Sequence, residues 1–146
     1  MEYKQVTLPP RVLICGESTT GKTGSLAMLS NAGYRIMLHD FDNNSRVIGN
    51  FLKEGHAPIY TQTYDVVDVS DDLMGDITKP AARAKDELRR FFKQLSHWKT
   101  DTEDLGKSTE WTPKDVVVID SGTFLGQLCV LAAHLDPETK RDGRSL

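Results

Sequence analysis

The chain has 146 residues, a net charge of −3 and two cysteines. This length allows one domain with a core of its own, and the mild charge gives no whole-chain attraction to nucleic acid or a membrane surface. No apolar run reaches the roughly 18 residues of a transmembrane helix. The amino terminus lacks the apolar stretch of a secretory signal.

Residues 1–10 read as an N-terminal extension. Arg11-Val12-Leu13-Ile14-Cys15 follows as a short apolar strand. Next come Gly16-Glu17-Ser18-Thr19-Thr20-Gly21-Lys22-Thr23, which spell G-x-x-x-x-G-K-[ST], a phosphate-binding loop. Glycines reach backbone angles other residues avoid, and without a Cβ they let the main chain approach a phosphate. The loop amides and the positive end of the next helix then favour an anion. Lys22 adds a full charge, and the Thr23 hydroxyl is placed to bind Mg²⁺. The candidate nucleotide-binding residues are Gly16, Ser18, Thr19, Thr20, Gly21, Lys22, Thr23 and Gly24. The expected helix covers 22–30, with Leu26 and Leu29 apolar and a stop at Asn31-Ala32-Gly33.

A second apolar strand runs over 34–40 and ends in acid. Asn43-Asn44-Ser45 caps a helix that buries Val47, Ile48, Phe51 and Leu52 and stops near Gly55. A third strand is read at 58–64. Residues 65–76 hold five aspartates and no lysine or arginine, which reads as a solvated loop. The spacing predicts a helix over 80–99, with Thr78 as cap, Pro80 in the first turn, and a stripe of Ala84, Leu88, Phe91, Phe92, Leu95 and Trp98. Arg83, Arg89, Arg90 and Lys93 lie largely off the stripe and read first as a solvated face; a basic interaction patch is the sharper alternative. Residues 100–113 are polar and expected to be irregular. Asp115-Val116-Val117-Val118-Ile119-Asp120 has the pattern of a central parallel strand buried on both faces. A helix over 123–135 turns Phe124, Leu125, Leu128, Leu131, Ala132 and Leu135 inward, and Asp136-Pro137 ends it. Residues 11–136 form the core and 137–146 a polar tail. Cys15 and Cys129, alone in apolar segments, are expected as reduced, buried residues of a cytoplasmic protein. His39, His56, His97 and His134 have no metal-ligand spacing, so no zinc is expected.

Alternating strands and helices imply a parallel sheet covered on both faces, with ligands at the carboxyl ends of the strands. The loop, Asp40/Asp42 and Asp120 all fall there. Asp120 ends a buried strand and is the Walker B candidate for Mg²⁺ alongside Thr23; the competing reading makes Asp120 and Ser121 helix caps. Asp42, then Asp40, is the candidate to orient the attacking water; a turn-and-cap role weighs equally for both.

These motifs in this order resemble the RecA-like branch of P-loop ATPases. The match rests on residues 16–23, on Leu38-His39-Asp40-Phe41-Asp42, and on Val116-Val117-Val118-Ile119-Asp120-Ser121. Ser25-Leu26-Ala27 and Asp40-Phe41-Asp42-Asn43-Asn44 are similar to small phage-encoded RecA-like ATPases of single-strand annealing and recombination. The resemblance implies a three-layer αβα P-loop NTPase fold with a mostly parallel central sheet. It also implies catalytic roles for Lys22, Asp42 and Asp120, with ATP and Mg²⁺ as cofactors. In that branch the catalytic acid is a glutamate in a D-x-E setting; Asp42 holds that position with a shorter side chain. The branch also has a further strand between the P-loop and Walker B strands, for which this chain shows no segment. The favoured expectation is a core incomplete on its C-terminal side, a fragment of a longer protein. The alternatives are a strand supplied by a partner or a Walker B strand directly beside the P-loop strand, as in the kinase–GTPase branch.

The expected function is a Mg²⁺-dependent ATPase in DNA recombination or replication, in the host cytoplasm if phage-encoded. Single-stranded DNA and either further copies of the chain or a recombination or replication protein are the candidate partners, and any arginine finger comes from another subunit. The alternatives are a nucleotide-binding regulatory or assembly module with little turnover and, ranked last, a small-molecule kinase.

Overall fold

The computed structural model describes residues 12–17, 21–65 and 78–133. Helix α1 (Lys22–Asn31) leads to strand β1 (Arg35–Asp40), a 3-10 helix (Ser45–Phe51) and strand β2 (Ile59–Thr63). Helix α2 (Thr78–Ser96), the strand pair β3 (His97–Lys99) and β4 (Asp104–Lys107), and a 3-10 turn (Ser108–Glu110) follow; strand β5 (Asp115–Asp120) and helix α3 (Gly122–Ala133) complete the described chain. The fold is α/β. Its main sheet is parallel, in the order β2-β1-β5, with Ile36 opposite Ile59 and Val116, and Asp40 opposite Thr63 and Asp120.

Helices cover both faces of β1. Successive side chains of a strand alternate between faces, so Ile36 and Leu38 pack with Leu26, Ala27 and Ile48 beneath α1 and the 3-10 helix. His39, on the other face, meets Phe91 of α2 and Trp98 of β3. A second cluster, Phe41, Tyr64, Ala84, Phe91, Leu128 and Leu131, joins α2 and α3 to the carboxyl ends of β1 and β2. Ile36, Leu38 and Phe41 are fully buried, each stabilising the fold by roughly 1.5–3 kcal/mol relative to exposure.

The end of α1 is set by sequence. Gly33 takes φ +85°, and the amides of Gly33 and Tyr34 donate to the carbonyls of Ser30 and Leu29. That is the left-handed glycine stop in which two orphan carbonyls gain partners. Asn31 then fastens the helix to its neighbour: its Nδ2 donates to the Phe51 carbonyl at 3.0 Å and its Oδ1 accepts the Lys53 amide at 2.9 Å.

The expected helix over 43–55 is a short 3-10 helix, and only Ile48 within it is buried; Phe51 is 57% exposed. The helix expected to 99 stops at Ser96, because Gln94 accepts the Lys99 amide and donates to the Lys99 carbonyl, fixing residues 97–99 as a strand. Trp98 is buried, but on β3 rather than on the helical stripe; Phe92, placed on that stripe, is 60% exposed. The segment expected to be irregular, 100–113, supplies β4 and the 3-10 turn. The solvated loop expected at 65–76 lies almost wholly outside the described residues, as do Leu135, Asp136-Pro137, the 1–10 extension, the 137–146 tail and His134.

Two expected strands differ more. The described part of the first, residues 12–15, has no regular secondary structure and joins no sheet, with Val12, Leu13 and Ile14 at 80, 85 and 52% exposure. An apolar run supplies strand propensity but not a partner for its main chain, and a strand needs both. The run 115–120 is a strand, but not a central one. It lies at the edge of the described sheet, α3 packs against α2, and Val117 and Ile119 stay 38 and 41% exposed. Among the described residues no strand lies beyond β5. Cys15 and Cys129, expected in the core, are exposed free thiols; Cys15 leaves the core with its strand, and Cys129 sits on the uncovered side of α3.

Candidate phosphate-loop site

Gly21 is the residue from which the site is built. It caps α1 with φ +84° and ψ 16°, a left-handed conformation that favours glycine. A glycine cap has no side chain to satisfy the free amides of the first helical turn, and that turn contains no acid. Among the described residues no side chain caps those amides, which with the positive end of the helix suit an anion. Gly24 has a different reason to be glycine: a Cβ there would lie 2.9 Å from the Phe51 ring.

Lys22 folds back over the loop, its Nζ donating to the carbonyls of Gly16 at 2.8 Å and Glu17 at 2.6 Å. Thr23 is 8% exposed, and its Oγ1 donates to Asp120 Oδ2 at 2.6 Å. Ser18, Thr19 and Thr20 fall outside the described residues.

The sheet puts Asp120 beside α1. Asp40 and Asp120 are register partners at the carboxyl ends of β1 and β5, and both continue the parity of Leu38 and Val118, the face that packs on α1. The Asp120 carbonyl accepts the amides of Phe41 at 2.5 Å and Asp42 at 3.3 Å, so the chain leaving β1 remains tied to β5. Asp42 is exposed, but partial desolvation, then the charges of Asp120 and Asp40, raise its carboxyl above its ordinary value, with Lys22 pulling it the other way. Thr23 and Asp120 are in contact, and Lys22, Asp120 and Asp40 lie within electrostatic range of Asp42. The α1 amides, an ammonium, a hydroxyl and these carboxylates lie at the same end of the sheet.

Asp40 behaves differently. It is 1% exposed, and its carboxylate accepts three main-chain amides: Asp42 at 3.2 Å, Asn44 at 3.3 Å and Ser45 at 3.0 Å. This is the turn-and-cap role, and it leaves little of the carboxylate for a water molecule. The amides it binds lie two to five residues on, and no sequence pattern announced that all three would converge on it.

The basic face of α2 is largely engaged. Arg89 pairs with Asp86 at 3.0 Å. Arg90 pairs with Glu87, donates to the Thr63 carbonyl at 2.5 Å and lies 4.7 Å from the centre of the Tyr64 ring. Arg90 thus joins α2 to the end of β2 rather than standing on the solvated face. Among the described residues no group of three or more histidine, cysteine, aspartate or glutamate side chains could hold a metal, and no helix is long and apolar enough to cross a membrane. No protein-family model, no curated protein and no solved structure matches the chain.

Proposed function

We propose that this chain binds a nucleoside triphosphate through a P-loop and hydrolyses it, as a RecA-like ATPase of DNA recombination or replication. The observation that carries the reading is the 2.6 Å hydrogen bond from Thr23 to Asp120. It joins the last residue of the G-x-x-x-x-G-K-[ST] sequence to the acid ending β5, two groups the motif requires together and the sequence separates widely.

In this reading the α1 amides and Gly21 hold the phosphates, and Lys22 leaves the carbonyls of Gly16 and Glu17 to meet the β- and γ-phosphates. The oxygen donors of Thr23 and Asp120 suit Mg²⁺, which needs few protein ligands beside the nucleotide; bound there, it would neutralise charge that develops as the γ-phosphate leaves. Asp42 orients the attacking water and accepts its proton. Water oxygen forms the new bond to phosphorus, the β–γ bridging bond breaks, and ADP and phosphate are the products. An arginine from another copy of the chain, or from a partner protein, would complete the charge neutralisation.

A second reading is a nucleotide-dependent assembly module with little turnover. It is favoured by Asp42, one methylene shorter than the glutamate of the D-x-E setting. Phosphate release by the chain, with and without single-stranded DNA, separates the two. An ATPase releases phosphate, and Lys22→Ala abolishes the release; DNA stimulation that vanishes in the same variant assigns the DNA role. Tight ATP binding without release leaves the assembly reading, and no binding at all overturns both.

A further inference from the structure

A buried carboxylate is costly unless it is paired or richly hydrogen-bonded. Among the described residues no ion pair reaches Asp40; its compensation is three amides from the loop that follows it. Asn43 takes φ +53°, the left-handed conformation that asparagine tolerates better than other residues with a Cβ, and its flanks are held. Asp40 Oδ1 holds the amides of Asp42 and Asn44 while Oδ2 holds that of Ser45. The Asp42 amide is shared with the Asp120 carbonyl, so this residue is gripped from both strands at once. A cap for the 3-10 helix alone would require only the Ser45 contact; the bonds to Asp42 and Asn44 fix the residues between strand and helix.

We propose that Asp40 is a positioning residue: by clamping the amides of Asp42, Asn44 and Ser45 it fixes the backbone that carries the Asp42 carboxylate at the carboxyl end of β1. The inference rests on the nucleotide reading above and adds a residue that never touches the reacting atoms. Its effect reaches hydrolysis only through Asp42.

The test compares Asp40→Asn, Asp42→Asn and the double variant in the full chain, measuring kcat and the dissociation constant of ATP. Asp40→Asn keeps the shape but replaces one acceptor oxygen with a donor that faces an amide. It is expected to lower kcat at least about tenfold, with ATP affinity changed less than about threefold. In the Asp42→Asn background it should have no further effect on kcat, the non-additivity of two residues acting as a unit. Ser45 amide exchange should accelerate in Asp40→Asn and not in Asp42→Asn, and circular dichroism should show the same helix content in all three. Unchanged kcat in Asp40→Asn overturns the proposal, as does a loss that multiplies with that of Asp42→Asn or one that follows ATP affinity. If Asp40→Asn fails to fold, Ser45→Pro removes one clamped amide in its place and should lower kcat without lowering affinity. Wild-type chain that binds ATP without releasing phosphate overturns the proposal and leaves nucleotide binding standing; wild-type chain that binds no ATP overturns the nucleotide reading as well.

Discussion

Thr23 and Asp120, 97 residues apart, are joined by a 2.6 Å hydrogen bond in which the threonine hydroxyl donates to the carboxylate. The contact couples the first turn of α1 to the end of β5, and it places a hydroxyl and a carboxylate side by side. Thr23→Ala and Asp120→Ala should each weaken Mg²⁺-dependent ATP binding at least about tenfold. Combined, they should lose less than the product of the two, because both act on one ion. Calorimetric titration with and without Mg²⁺ measures this; equal Mg²⁺ dependence in all variants would remove the pair from metal binding.

Asp42 carries the hydrolytic assignment. Asp42→Asn should keep ATP affinity and lower turnover by about a hundredfold, the scale of losing a general base. Though Asp42 is exposed, partial desolvation and the charges of Asp120 and Asp40 raise its carboxyl, and a base must be deprotonated to act. Turnover should therefore fall, as the pH is lowered, at a higher pH than an unperturbed aspartate would give. Unchanged turnover in Asp42→Asn would exclude the residue from the reaction.

The local elements were readable where a residue acts alone. Gly21 and Gly33 announced the start and stop of α1 because each supplies a backbone angle favouring glycine. The periods of β1, β2 and α2 follow from apolar spacing. The pairing of Thr23 with Asp120 was expected from motif order, and the register of β1 on β5 supplies it. What sequence did not reveal was non-local. Nothing in Val116-Val117-Val118-Ile119 says whether a neighbouring strand lies on its far side, and nothing in Val12-Leu13-Ile14 says whether it will find a ladder. The Gln94 bonds that turn residues 97–99 into a strand, and the inward turn of Arg90 onto Tyr64, depend on partners that spacing along one helix cannot show.

Two glycines of the loop-to-helix junction should respond in opposite ways. Gly21 has open space around it but a positive φ, so Gly21→Ala should cost about 1–2 kcal/mol of stability and also weaken triphosphate binding. Gly24 has helical geometry, and the only atoms a Cβ would press on belong to the ring of Phe51, which is exposed and free to shift. The gain of about 1 kcal/mol from alanine in a helix should offset that shift, leaving Gly24→Ala within about 1 kcal/mol of wild type. Urea unfolding of both variants checks the contrast. Equal losses would mean that the Phe51 contact, rather than backbone angle, governs the junction.

His39 makes the fold acid-sensitive. It is fully buried, its Nδ1 is 2.8 Å from the Tyr64 hydroxyl, and its Nε2 has no hydrogen-bond partner among the described residues. Burial lowers its pKa from 6.5 to about 4. The unfolded chain therefore binds a proton between those values that the folded chain refuses. Stability from this group is complete above about pH 6.5 and is lost progressively as the pH falls towards 4, by on the order of 3 kcal/mol. The expected result is a urea midpoint that drops between pH 7 and 4, with a shallower drop in His39→Leu, where no proton can be taken up at this position. An identical pH dependence in wild type and His39→Leu would show that other groups govern acid unfolding. Tyr64→Phe tests the environment separately: it removes the hydroxyl at Nδ1 and leaves the burial, so the fall between pH 6.5 and 4 should persist in that variant.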